Sequence, residues 1–237
     1  MDEPAAAMPR PTWPTWIEIL LCSGYPTQIV IGFTLQAAGL RPTRVDGSLS
    51  APFVFALTLL DTVLLLSLIV AFLLRRGESP RRVFLGDRPV LREVGAGVLA
   101  VPVAMTIVIV VSLLVRRFAP SLRTVPDNPL GAFVGTQAGL WMFLFVVIVA
   151  GGVREELQRA FLLHRFRFDL GQPWMGVLIT SLAFGMGHTL QGLDVAIITG
   201  LLGALWGVIY LVRGSAVAAM VSHSLFNSGE LLRVFFR

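Results

Sequence analysis

Long apolar runs, separated by short polar or proline-rich breaks, occupy most of this chain. A run of about 20 apolar residues matches the ~30 Å hydrocarbon core of a bilayer, so each run predicts a membrane-spanning helix. The first extends from about Trp16 to Leu40 and is interrupted by Glu18, Pro26, Gln28 and Gln36. The second runs from Ala51 to Leu74 with Asp61 at its middle, and the third from about Val94 to Val115. The fourth begins near Leu130 and keeps a helical pattern to about Phe168, which at ~1.5 Å per residue is far longer than a bilayer is thick. A turn at Asp169 to Pro173 ends it. The fifth spans about Trp174 to Leu190, the sixth Val195 to Val212, and the seventh Ser215 to Phe236. The pattern predicts an all-α fold, a polytopic transmembrane helix bundle of about seven spans, with six to eight as the range. It reads as one membrane domain over residues 1–237, with N-terminal spans in 1–129 and the motif-bearing spans in 130–237.

Several strongly polar side chains interrupt these runs: Glu155 with Glu156, His188, and His223 with Asn227. A charged group at membrane depth costs roughly 2.5–3.5 kcal/mol on insertion scales, so such residues face protein or water and mark function. Their depths can be compared. Arg75, Arg76, Arg81, Arg82, Arg88 and Arg92 crowd one connection, which the positive-inside rule places in the cytoplasm. Counting spans from there puts the end of the fourth helix and the start of the fifth on the same side. Glu155 and His188 then lie ~20 Å from that surface, and His223 ~15 Å from it. Three helices thus carry polar groups to similar depth.

Composition narrows the chemistry. Of the 237 residues, 55% are hydrophobic and 14% charged, with a mean hydropathy of +0.79, which fits a membrane protein without a large soluble domain. The net charge of +5 comes from arginines concentrated at helix ends, so nucleic acid is not the expected partner. All basic side chains are arginine; without lysine there is no Ser–Lys dyad and no Schiff base. Cys22 stands alone, which excludes an internal disulfide and a cysteine-based metal cluster. The opening MDEPAAAMPRPTWPTW lacks the order of a cleaved signal peptide, so the first helix is expected to act as the targeting element.

On a helix, residues four apart share a face, which pairs Glu155 with Arg159, Phe184 with His188, and His223 with Asn227. Three such faces turned inward would enclose a carboxylate, two imidazoles and a carboxamide. Arg159 would neutralise one carboxylate. A carboxylate can take a proton from water while an imidazole orients that water. A second imidazole and an amide N–H can stabilise the oxyanion formed when water attacks a carbonyl. The set therefore suits peptide-bond hydrolysis inside the membrane. Two histidines and a glutamate are also a ligand set for catalytic zinc, here Glu155, His188 and His223, although the chain has no HExxH motif. Chains of Glu and His serve proton relays as well, which keeps a proton-coupled transporter as an alternative.

The same residues carry a family likeness. REELQRAFLLHRF at Arg154–Phe166, FGMGH at Phe184–His188 and HSLFN at His223–Asn227 resemble the three motifs of the CPBP family, the CAAX-processing and bacteriocin-processing intramembrane endopeptidases that include the Ras-converting enzyme. The likeness spans roughly Leu140 to Leu232. The family usually places three residues between its Glu pair and its Arg; here only Leu157 and Gln158 intervene, which turns Arg159 about 100° around the helix. The resemblance implies Glu155 as general base, His188 as the water holder, and His223 with Asn227 as the oxyanion site. Glu156, Arg159 and Phe184 would be supporting. It implies a glutamate-type mechanism that needs no metal, with zinc as the alternative. The implied partners are membrane lipid and a peptide or protein substrate at the membrane. The expected setting is an integral protein of a bacterial inner membrane with its basic loops cytoplasmic. A catalytically silent binding or immunity-type family member is a further alternative.

Overall fold

The computed structural model describes residues 12–126 and 128–236; the residues before Thr12, on which part of the targeting expectation rests, lie outside this range. Within it the chain forms ten α-helices: α1 Thr12–Leu21, α2 Tyr25–Ala37, α3 Ala51–Arg75, α4 Pro80–Leu85, α5 Val90–Phe118, α6 Gln137–Val146, α7 Glu155–Phe168, α8 Pro173–Met186, α9 Leu193–Arg213 and α10 Val217–Phe235. The protein is an all-α polytopic membrane bundle. Four helices are long and apolar enough to cross a bilayer: α3, α5, α9 and the continuous helix Gln137–Phe168. A fifth span results if the bent pair α1–α2 counts as one. With 14 residues α8 is too short to qualify, and α10 is made too polar by its own His, Asn, Glu and Arg side chains.

Two sequence expectations change. The first span is broken: α1 and α2 meet at 43°. Gly24 adopts φ +88° at the break, a left-handed conformation that glycine reaches without penalty, and Pro26 follows in the first turn of α2. The fifth span is shorter than predicted. It ends at Met186, so His188 sits just beyond the helix rather than on it.

The fourth stretch is one continuous helix that ends at Phe168 as the pattern predicted but begins at Gln137 rather than near Leu130, because Pro129–Val134 forms a separate 3-10 turn; its centre, Val147–Arg154, is a π-helix joining α6 to α7. Runs of this kind are frequent at functional sites. A glycine pair at its middle lets α10 approach closely. A Cβ on Gly152 would fall on the Ser224 hydroxyl, and one on Gly151 would lie 2.8 Å from the Asn227 amide nitrogen. Small residues serve the same end elsewhere. Gly97 of α5 packs under Ala218 and Val221 of α10, and Gly185 of α8 under Ala196 of α9.

Ion pairs gather the arginine-rich connection and the ends of α7 and α9 at one end of the bundle. Arg76 bonds Glu18 of α1 at 2.8 Å and also pairs with Asp169. Arg165, fully buried near the end of α7, bonds Glu18 at 2.8 Å and Glu78 at 2.6 Å. Arg213 closes α9 on the buried Glu93 of α5 through two bonds of 2.6 and 2.8 Å. Burial alone would raise the Glu78 carboxyl, but hydrogen bonds from His164 and Arg165 outweigh it and bring Glu78 down to about 2.

Candidate active site

A cavity of about 320 Å³ opens between α2, α3, α7 and α8. Glu155, Arg159, Phe184 and His188 all line it, so the first two sequence motifs share one chamber. Glu155 is partly exposed to that space, whereas Glu156, one residue on, turns into the protein and is almost fully buried. Adjacent helix positions point about 100° apart, which is why neighbouring carboxylates enter different surroundings.

His223 joins this arrangement from α10 and is 3% exposed. Its Nδ1 lies 2.8 Å from Glu156 Oε1, and its Nε2 lies 3.9 Å from Glu155 Oε2. A carboxylate only accepts, so Nδ1 carries a proton and donates it to Glu156. Arg159 pairs with the same Glu156 oxygen. The shared helix face had suggested Glu155 as its partner; the i, i+3 position and the inward turn of Glu156 decide otherwise. The Arg159 guanidinium also lies over the Phe184 ring, 4.7 Å from its centre.

His188 is held by the helix that precedes it. Its Nδ1 lies 2.8 Å from the Phe184 carbonyl oxygen, and its ring packs edge-on against Phe184 at 4.7 Å. A carbonyl oxygen also only accepts, so Nδ1–H donates and Nε2 keeps a lone pair. Phe184 thus contacts both imidazoles, lying 6.0 Å from the ring of His223. Asn227 does not line the cavity. It sits one turn beyond His223 on α10, against Gly151 of the π-helix.

Two features escaped sequence reading. Asp61, which looked like an isolated mid-span acid, is 1% exposed and pairs with Arg154, the residue directly before the Glu pair. Thr27 donates its hydroxyl to the same carboxylate, and Gln28 reaches it at 3.4 Å. Mid-membrane aspartate demands a cation, and Arg154 was the nearest one on the motif helix; that was the available signal. Trp206 of α9 stacks on His223 with ring centres 3.7 Å apart, and nothing in an apolar run marks such a residue. Among the described residues, no group of three His, Cys, Asp or Glu side chains is arranged to hold a metal ion.

The fold and this chamber define a class: a membrane helix bundle that gathers acidic and imidazole side chains around an internal cavity. Residues 136–229, from the start of the long helix through the last motif on α10, match the family described as type II CAAX prenyl endopeptidase, Rce1-like. The match places this stretch, which covers less than half of the chain, with the CAAX protease family, and that likeness indicates a membrane-embedded protease. No curated protein and no solved structure matches the chain.

Proposed function

We propose that the protein hydrolyses a peptide bond of a membrane-associated substrate with a water molecule activated by Glu155 and His188. The observation that carries this reading is the position of Glu155, which shares a cavity with His188 and at the same time faces His223 Nε2 at 3.9 Å. The Glu155 carboxylate accepts a proton from water. The Nε2 lone pair of His188 accepts a hydrogen bond from the same water and aims its oxygen. As that oxygen bonds to the scissile carbonyl carbon, negative charge develops on the carbonyl oxygen. His223 Nε2–H and the Asn227 amide are the donors proposed to receive it. Because Nδ1 already donates to Glu156, a donating Nε2 requires the ring to carry both protons; Glu155 and Glu156 balance that charge. Glu155 then passes its proton to the leaving amine as the C–N bond breaks. The Glu156–Arg159 pair holds His223 in place.

The family description points to a prenylated, CAAX-type tail as the first substrate to try, presented from lipid, with the arginine-rich end of the bundle on the cytoplasmic side. The test is cleavage of a quenched-fluorescent farnesylated CAAX-type peptide, and of its unprenylated twin, by protein reconstituted in liposomes. Wild type is expected to cleave at least one. Glu155→Gln is expected to lose ~10²–10⁴-fold in rate, the usual worth of a general base, while inserting and melting like wild type. Wild-type rates from a stable Glu155→Gln protein would overturn the mechanism. Failure of wild type on both peptides would overturn the substrate assignment.

A further inference from the structure

Trp206 is a core residue by burial, yet its contacts are not those of ordinary packing. Its ring lies nearly parallel to His223, 16° between planes and 3.7 Å between centres. Aromatic neighbours more often meet edge-on or offset, as Phe184 meets Trp206 at 70° and His223 at 85°. The indole is itself latched, since its Nε1–H donates to the Ser222 hydroxyl at 3.2 Å. Ser222 directly precedes His223, so α9 grips α10 at the residue that carries the imidazole.

This geometry supplies what the hydrogen bond to Glu156 lacks. The Nδ1–Oε1 bond sets which edge of the His223 ring faces the carboxylate, but leaves the ring free to tilt about that bond. A flat surface at stacking distance removes the tilt. The opposite constraint comes from Phe184, whose edge meets the imidazole at 6.0 Å. Nε2 is then held facing Glu155.

We infer that Trp206 is a positioning residue for the reaction, a floor that fixes the ring plane of His223 so that Nε2, rather than Nδ1, meets the substrate carbonyl. The inference rests on the hydrolytic reading above and adds a residue outside the three motifs. Trp206 touches no reacting atom; it acts through His223. Its loss therefore shows in turnover rather than in substrate binding. A shift of about 1 Å in a reacting group costs on the order of 10²-fold in rate.

The experiment compares Trp206→Leu, Trp206→Phe and Ser222→Ala with wild type in the same liposome assay, with melting temperature measured for each. Trp206→Leu fills the space without a flat face; kcat is expected to fall by about 10–100-fold with KM within about twofold. Trp206→Phe restores a face and is expected to recover most of that loss, although it lacks the latch just as Trp206→Leu does. Ser222→Ala keeps the indole but frees it, with an intermediate loss in kcat. A purely structural role gives a different pattern, in which kcat of the folded fraction stays at the wild-type value and only melting temperature moves; that result overturns the inference. Should Trp206→Leu fail to fold, the order Ser222→Ala below wild type decides, and equal kcat in those two proteins overturns it. An inactive wild type would instead count against the hydrolytic reading itself.

Discussion

Replacing Asp61 with Ala removes the only acidic partner that Arg154 pairs with among the described residues and leaves the guanidinium of a residue that is 6% exposed without it. Thr27 and Gln28 lose an acceptor at the same time. Removing one partner of a buried ion pair costs ~3–5 kcal/mol, because the remaining charge stays buried and uncompensated. Arg154 also borders the cavity, where water can reach it, which favours the lower end, ~3 kcal/mol. In a chain of this size ~1 kcal/mol moves the melting temperature by ~2–4 °C, so a fall of about 6–12 °C is expected. Thermal unfolding in detergent checks it. The decisive companion is the double variant Asp61→Leu with Arg154→Leu, which removes both charges; its melting temperature is expected to return to within a few degrees of wild type. A drop below about 2 °C for Asp61→Ala, or a double variant as unstable as the single, would refute the view that this pair is a coupled buried charge.

Glu78, held down to about 2 against an ordinary 4.5, contributes stability that is fully present above pH 4.5 and is lost as pH falls toward 2. Melting temperature followed across that window should drop more steeply in wild type than in Glu78→Gln; parallel curves would contradict the assignment. Gly152→Val should force α10 away from the π-helix, because its side chain would occupy the place of the Ser224 hydroxyl. Overpacking of this kind costs ~1–3 kcal/mol. A lower melting temperature together with reduced cleavage is the expected result, whereas Gly131→Val, at a site with open space around it, should melt like wild type.

Much of the scaffold was readable from hydrophobicity because a bilayer leaves so few options. The positions of α3, α5 and α9, and the end of the helix through Glu155 at Phe168, follow from where charges and prolines stop an apolar run. The convergence of Glu155, His188 and His223 was also legible, since rise per residue gives each a comparable distance from its helix end. The details that failed are those decided by neighbours. The break at Gly24 showed in sequence only as interruptions to an apolar run; its angle depends on α3 and α7 packing beside it. The end of α8 before His188 has no proline to announce it, only Gly185 and Gly187. Arg159 had both glutamates within reach, and the choice of Glu156 came from His223 drawing that carboxylate inward. Trp206 looked like one more apolar residue of α9, because stacking between helices leaves no periodic mark.

The central claim is that Glu155 and His188 act on one and the same water. A double-mutant cycle in the liposome cleavage assay tests this most directly, using Glu155→Gln, His188→Ala and the combination, each checked for wild-type melting. Groups serving a single proton transfer behave as a unit, and their losses do not add. The double variant is expected to be no slower than the worse of the two single variants. Losses that multiply, with the double variant slower by the product of the two single factors, would place the carboxylate and the imidazole in separate steps and contradict it.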